Sequence, residues 1–358
     1  MKNFFQITSL FLAIFAGMPT GSAQPDALAA SDAPDARQTL QERVPREMRE
    51  AGKGNFISLT VENDALGRGT DKNYTSGVRL SYFDIRERPG ELVDRLDRII
   101  PFFTVNETTS TTYSVGQNLY SPDDITHSGQ VEGARPWAAF LYGSIGMATV
   151  TGDHVDDAEA TIGVVGPWAQ GEPAQSFVHN VLGYADPEGW NEQIENEPGL
   201  ILSWRRRWPQ LFTYEFRDFL FAAEPNVGTS LGNVYTLAEG GITLRLSPTA
   251  DRWQDTPILV RPSIPGTGYF EPQKGTASWY FFGGVQGRAV ARNIFLDGNT
   301  FEPGYSVDKN ALVMDLNIGF AVTVGDIRLS YTLVYRTKEY EGQSGPSLFG
   351  AAGVGYRF

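Results

Sequence analysis

Two segments near the end of the chain alternate apolar and polar residues over a longer stretch than any other part of it. Leu312, Met314, Leu316, Ile318, Phe320 and Val322 fall on one side of an extended chain, with Val313, Asp315, Asn317, Gly319, Ala321 and Thr323 on the other. After Gly325-Asp326 the pattern resumes, with Ile327, Leu329, Tyr331, Leu333 and Tyr335 set against Arg328, Ser330, Thr332, Val334 and Arg336. A period of two is the signature of a strand with two unlike faces. Two such strands joined by a tight turn make a hairpin with one lipid-like side and one wet side, the pattern of a transmembrane β-hairpin. A soluble sheet would leave that long apolar face in water, where it would aggregate. The same alternation recurs at Ile57, Leu59 and Val61, at Val78, Leu80 and Tyr82, and in the last segment, which ends on Tyr356-Arg357-Phe358.

Other features agree with an exported all-β membrane protein. Residues 1–23 begin with Lys2, run through an apolar stretch and end in Gly21-Ser22-Ala23, as a cleaved signal peptide does. No later segment approaches the roughly 18–20 apolar residues of a membrane helix, so membrane residence requires strands. The 39 glycines and 12% aromatic residues suit barrel corners and interfacial girdles. With no cysteine, thiol chemistry, disulfides and a lipid-modified cysteine anchor are excluded. A formal charge of −13 argues against nucleic acid as a partner.

Residues 24–54, rich in Ala, Pro, Asp, Glu and Arg, read as a flexible periplasmic leader, and 55–358 as the barrel. The pattern predicts a transmembrane antiparallel β-barrel of about 12 strands, an even count as single-chain bacterial barrels require. They are expected at 55–64, 73–86, 111–120, 136–150, 157–166, 197–207, 210–223, 232–247, 276–291, 310–324, 326–338 and 347–358. With both termini periplasmic, loops 65–72, 121–135, 167–196, 225–231, 292–309 and 339–346 face outward. Trp208-Pro209 and Gly325-Asp326 are then short periplasmic turns. Two long connections, 87–110 and 248–275, fall on the periplasmic side, the first with a short amphipathic helix at 91–100.

This parity gathers polar residues from distant parts of the chain at one end. Asn63 and Asp64 close the first strand, Thr75 opens the second, Tyr120 and Ser121 close the third, and Arg135 precedes the fourth. His179, one of three histidines, lies in the longest outward loop, in a run from Glu172 to Leu182 that suits a short helix. Pro173 fits its first turn and Gly183 its end. A histidine can exchange a proton near neutral pH, and the oxygens of Asn63 and Asp64 suit a hard cation such as calcium. Each residue alone has a plainer reading as a surface histidine, a turn cap or a strand residue; the set usable for ester hydrolysis is His179 as base, Asp64 as metal ligand, and Asn63 or Thr75 stabilising the developing oxyanion. Strict alternation puts Asn63 and Asp64 on opposite faces, so the strand must end or bulge there.

At these residues the chain resembles the LpxR family, outer-membrane lipid A 3′-O-deacylases. The resemblance is carried by SLTVENDALGRGTDKNYTSGVRLSY at 58–82, GQNLYSPDDI at 116–125, ARPWAAFLYGSIG at 134–146 and GVVGPWAQGEPAQSFVHNVLG at 163–183, and continues to the C-terminus. It implies a twelve-stranded barrel that removes the 3′-linked acyloxyacyl chain of lipid A with calcium (Ca2+) help, by a histidine-activated water resembling that of secreted phospholipase A2. It also implies catalytic roles for Asn63, Asp64, Thr75 and His179. Where the family carries a lysine after Tyr-Ser-Pro, this chain has Thr126-His127. Arg135, Tyr120 and Ser121 are then candidate contacts to the lipopolysaccharide substrate, with Asp64 the metal ligand. The implied location is the bacterial outer membrane, with the site at the extracellular leaflet. The terminal Phe358 resembles the signal read by the barrel assembly machinery. The alternatives are an outer-membrane phospholipase using Ser121 or Ser76 as nucleophile, and a non-enzymatic pore or structural barrel.

Overall fold

A sheet with one apolar and one polar face can satisfy both by rolling up, and the chain takes this solution. The structure, a computed structural model, describes residues 39–42, 54–67, 73–84, 103–248, 254–270 and 273–358. The signal-peptide segment, most of the leader and the helix expected at 91–100 lie outside the described residues. In chain order the strands are β1 (Asn55–Asn63), β2 (Asn73–Asp84), β3 (Ser110–Ser121), β4 (Ala138–Thr151), β5 (His154–Val165), β6 (Glu197–Arg207), β7 (Phe212–Phe216), β8 (Phe219–Gly232), β9 (Tyr235–Pro248), β10 (Gln273–Asn293), β11 (Leu312–Gly325), β12 (Ile327–Arg336) and β13 (Ser347–Arg357). Among the described residues the helices include α1 (Gly171–Leu182) and a single turn α2 (Ile294–Asp297). Apart from β6 and β7, each strand pairs antiparallel with its neighbour in sequence, β1 closes on β13, and β6 pairs directly with β8. β7 pairs only with β8, so twelve of the thirteen strands form the closed barrel.

Alternation sorts the side chains as the sequence predicts. Ile57, Leu59, Val78, Leu80, Val115, Ile145, Ile162, Phe320 and Leu329 are exposed on the outer wall. The opposite register puts Glu62, Arg79, Glu159, Arg207, Arg288 and Asp315 in the interior, where all are buried. A charge in such an interior is tolerated only when paired. Arg79 meets Glu159 at 2.7 Å, Arg207 meets Asp157 at 2.7 Å, and Asp315 takes Arg261, Arg288 and Arg336 at 2.6, 3.0 and 2.9 Å.

The expected periplasmic connection at 248–275 is in part an internal plug. Its residues 254–270 run inside the barrel and bond to the wall on several sides. The Asp255 carboxylate receives Arg207, the Val260 amide donates to Glu62 at 2.8 Å, the Tyr142 hydroxyl donates to the Val260 carbonyl at 2.9 Å, and Ser230 donates to the Ser263 carbonyl at 2.9 Å. Twelve strands enclose more width than side chains fill alone, and the inserted segment occupies it. Among the described residues this segment occupies part of the lumen that a passive pore would leave open.

The expected strand at 210–223 and the outward loop at 225–231 differ from the structure. Residues 210–223 hold the short β7 and the start of β8, and 225–231, expected as an outward loop, lie within β8. The interior-facing row of β8 is Ala222, Glu224, Asn226, Gly228 and Ser230, which is small and polar and so reads as a loop. Pro225, which has no N–H to give to a ladder, sits where the partner of β8 changes, between the pairs Phe212–Ala223 and Arg207–Asn226. Part of the leader is ordered against the barrel: the Leu40 amide donates to Asp153 at 3.1 Å and the Gln41 amide to the Gly152 carbonyl at 3.0 Å, at the turn between β4 and β5.

Candidate active site

One stretch of outer wall departs from the apolar pattern. At the end of the barrel opposite the termini, the outward row crossing β1 to β4 reads Asn63, Ser76, Leu119 and Ala139, joined by the register pairs Asn63–Ser76, Ser76–Leu119 and Leu119–Ala139. The row below it, Val61, Val78, Gln117 and Leu141, contains one more polar residue. Leu119 and Ala139 take the outward register yet are buried, together with Trp137. They are covered by the connection between β5 and β6, which folds back over the outside of the barrel. Leu119, Trp137, Ala139, Ala169 and Trp190 form one apolar cluster there, with Ile125, Val164 and Ala174 packed on it.

The helix α1 belongs to this cover, and its position is set by close contacts. Gly166 (φ 90°) and Gln170 (φ 57°) turn the chain through left-handed backbone conformations into the helix, and Gly183 (φ 73°) ends it, with the Tyr184 amide donating to the His179 carbonyl. Gly171 lies against the wall so closely that a Cβ there would stand 2.5 Å from the Trp190 ring and 2.6 Å from the Ala139 Cβ. One turn on, Gln175 accepts from the Trp190 indole N–H at 2.8 Å, and the Gln117 amide reaches out from β3 to the Ala169 carbonyl at 2.6 Å. Gly171→Val should therefore lift α1 off the wall while leaving the barrel intact. Proteolysis of the 166–196 connection should accelerate at unchanged barrel stability, and equal cleavage rates would contradict this seating.

His179 lies on the same stripe of α1 as Gly171 and Gln175, one turn beyond the latter, and is 2% exposed. Its Nδ1 bonds the Ala185 carbonyl at 2.5 Å, and its ring meets Tyr184 edge-on at 5.7 Å. Because a carbonyl only accepts, Nδ1 carries the proton and Nε2 is the basic nitrogen. One orienting partner, which no side chain in the sequence suggested, is a main-chain oxygen six residues on.

At the other edge of the row, β1 ends at Asn63 and the chain turns. The Ala65 amide donates to Asn63 Oδ1 at 2.7 Å, and the Leu66 and Gly67 amides to the Asn63 and Asp64 carbonyls at 3.2 and 2.9 Å. This turn lies down over β13: a Cβ on Gly350 would stand 2.8 Å from the Leu66 Cβ, and Tyr331 donates to the Leu66 carbonyl at 2.7 Å. The strand ends here, as the sequence expects if both residues are to serve one site, and the Asp64 side chain is buried. Thr75 is the extra residue of a bulge in β2, between Tyr74, paired with Tyr120, and Ser76, paired with Leu119. Asn63 and Leu119 are two strand steps apart, about 10 Å at the usual spacing.

The structure thus divides the candidate residues. Asn63 and Ser76 take the outward register and His179 lies on the wall-facing stripe of α1, while Asp64 is buried just past the end of β1 and Thr75 is the bulge residue beside Ser76. Tyr120 and Arg135 belong to the interior of the barrel mouth, and both are buried. The Tyr120 hydroxyl pairs with that of Tyr235 at 3.0 Å, its ring stacks on Phe295 at 4.1 Å, and Arg135 lies over it at 4.7 Å, with Glu339 3.8 Å away. Burial alone would raise the Glu339 carboxyl, but Arg336, Arg135 and Arg288 outweigh it and hold it below the usual range. Ser121 ends β3 fully buried, and His127 is exposed in the loop that follows. Gln117, not among the expected site residues, and Ser76, expected only as a phospholipase nucleophile, are both polar residues in a lipid-facing register. That signal was available in the alternation.

Among the described residues no three acidic or histidine side chains cluster as a metal cage. The end of β1 nevertheless offers only oxygen donors, the Asp64 carboxylate, the Asn63 amide oxygen and two main-chain carbonyls. That chemistry fits a hard cation such as calcium completed by water or substrate oxygens.

Comparisons with known proteins agree with this architecture. The family model described as "Outer membrane protein LpxR" matches residues 10–358. Among solved structures, LpxR from Salmonella typhimurium superposes with a TM-score of 0.68 at 21% identity, covering 85% of this chain and 100% of that one. The β domain of the Bordetella autotransporter BrkA reaches a TM-score of 0.42 at 9% identity, covering 85% and 99%. A search of curated protein sequences finds no match.

Proposed function

Because this chain belongs to the LpxR family of outer membrane proteins, we propose that it hydrolyses the 3′-linked acyl (acyloxyacyl) ester of lipid A at the outer leaflet, with a histidine-activated water as nucleophile and calcium assistance. The observation that carries the reading is His179: a buried imidazole held by Ala185 on the wall-facing stripe of a helix outside the barrel. A lipid ester at the boundary of headgroup and acyl chain meets the protein sideways, along the wall. A site on that wall needs no substrate transfer into the lumen.

In this mechanism His179 Nε2 takes a proton from water as its oxygen attacks the ester carbonyl. The tetrahedral intermediate collapses with cleavage of the bond to the sugar 3′ oxygen, which receives the proton back from His179. The products are a fatty acid and a free 3′ hydroxyl. Asn63, Ser76 and the Thr75 bulge line the wall where the developing oxyanion would be stabilised, and burial strengthens such bonds. Asp64, with Asn63, would hold a calcium ion, whose charge favours the oxyanion. Arg135, Tyr120 and Ser121, buried at or below the mouth, are proposed to act on substrate only by shaping the floor behind the site. During biogenesis the strand ending in Phe358 would be the element read by the barrel assembly machinery.

Mass spectrometry of lipid A from cells with and without the protein tests the reading. The expected result is a loss in mass equal to the 3′ acyl unit, abolished by chelation and by Asp64→Ala. Release of fatty acid from glycerophospholipids with lipid A unchanged would favour the phospholipase reading. An unchanged lipid A profile from folded, surface-exposed protein would overturn the proposal.

A further inference from the structure

The amphipathicity of α1 is inverted relative to a helix on a water-soluble protein. Its buried stripe carries Gln175 and His179, each 2% exposed, while Phe177 and Val181 are 69% and 68% exposed. At about 100° per residue, Phe177 and Val181 each stand some 200° from His179, directly across the helix. Two flanking aromatics continue the patch: Trp168 just before the helix is 67% exposed and Tyr184 just after it 47%. A helix facing water puts its polar stripe out and its apolar stripe in. Here the polar stripe is turned to the barrel wall, and the apolar stripe is left without a protein partner among the described residues.

The position of α1 identifies what covers it. The helix lies over Leu119 and Ala139 on the outer wall, and further from the loops Leu141 of β4, one row on, and Ile162 of β5 and Leu200 of β6, two rows on, are exposed on the outer wall. The exposed face of α1 therefore continues the apolar belt rather than standing apart from it. A water-facing patch of this size on a monomer would be an aggregation site. We propose that the outer side of α1 is immersed in the acyl chains of the outer leaflet, with Trp168 and Tyr184 at the headgroup level, so that the bilayer presses the His179 stripe onto the wall. Amphipathic helices that lie in a membrane interface bury an apolar face in this way. The proposal rests on the membrane residence of the barrel and not on its hydrolytic chemistry.

The chain has no cysteine, which makes the test direct. Phe177→Cys and Val181→Cys, each with a nitroxide label, are reconstituted in phosphatidylcholine vesicles and compared with labels at Ile162→Cys on the belt and at Asp186→Cys in the exposed loop. Folding of each variant is scored by heat-modifiable migration, and either of the first two suffices if the other fails to fold. Collision with oxygen should exceed collision with a water-soluble nickel chelate at 177 and 181, as at 162, and the order should reverse at 186. Labels at 177 and 181 as open to nickel as the label at 186 would overturn the proposal. This readout does not depend on lipid A turnover, so it separates failure of the immersed helix from failure of the deacylase reading.

Discussion

Replacing His179 by Ala should lower lipid A deacylation by about 10²–10⁴-fold, the range that a positioned general base supplies. The barrel should be untouched. The ring bonds the Ala185 carbonyl and meets Tyr184, both in its own loop, and none of the strand pairings passes through it. The variant should therefore keep its heat-modifiable migration and its resistance to protease while losing fatty-acid release in detergent micelles. Activity within a few-fold of the parent would exclude His179 as the base. The same measurement on Ser121→Ala, a candidate nucleophile in the phospholipase alternative, should show a much smaller loss.

The second large effect lies away from the site. Asp315 binds Arg261 of the plug, Arg288 of β10 and Arg336 of β12, all buried, and is the shared acceptor of the three. Asp315→Leu would leave three guanidinium groups in the interior with one carboxylate fewer. Removing one member of a buried pair costs on the order of 3–5 kcal/mol, and here three partners are affected together. The expected result is a marked drop in the temperature at which the barrel loses its compact migration. Some conductance should also appear in planar bilayers as the plug loses its anchor to β11. A variant with unchanged thermal stability would show that the surrounding network redistributes its bonds without cost.

Alternation made most of the barrel legible. Lipid on one face and a packed interior on the other oblige each strand to repeat every second residue, as 312–323 and 327–336 do, and β11 and β12 lie where that repeat places them. The reading failed where the interior row carries no contrast. In β8 the row of Ala222, Glu224, Asn226, Gly228 and Ser230 merged with its surroundings into an apparent loop. The same holds at 254–270, because nothing in a mixed, Gly- and Pro-containing stretch says whether it lies in the periplasm or in the lumen. That depends on the width left inside a closed barrel, a property of the whole ring. The helix around His179 was legible from Pro173 and Gly183. Its side of the wall was not, because strand parity fixes which end a loop emerges from and says nothing about whether it turns inward or outward.

What the sequence determined by itself is the periodic part of the molecule: an even-stranded barrel, the end at which Asn63, Asp64, Thr75 and His179 gather, and the helix that carries the histidine. These follow from local rules, period two in a strand and punctuation by Pro and Gly at a helix. Only the tertiary structure decided that Arg135 and Tyr120 belong to the interior while His179 faces the outer wall, and that a main-chain carbonyl fixes its tautomer. Those are outcomes of packing. They depend on Gly171 fitting against Trp190 and Ala139, and on Gly350 leaving room for the turn at Leu66, distances between residues that no local pattern encodes.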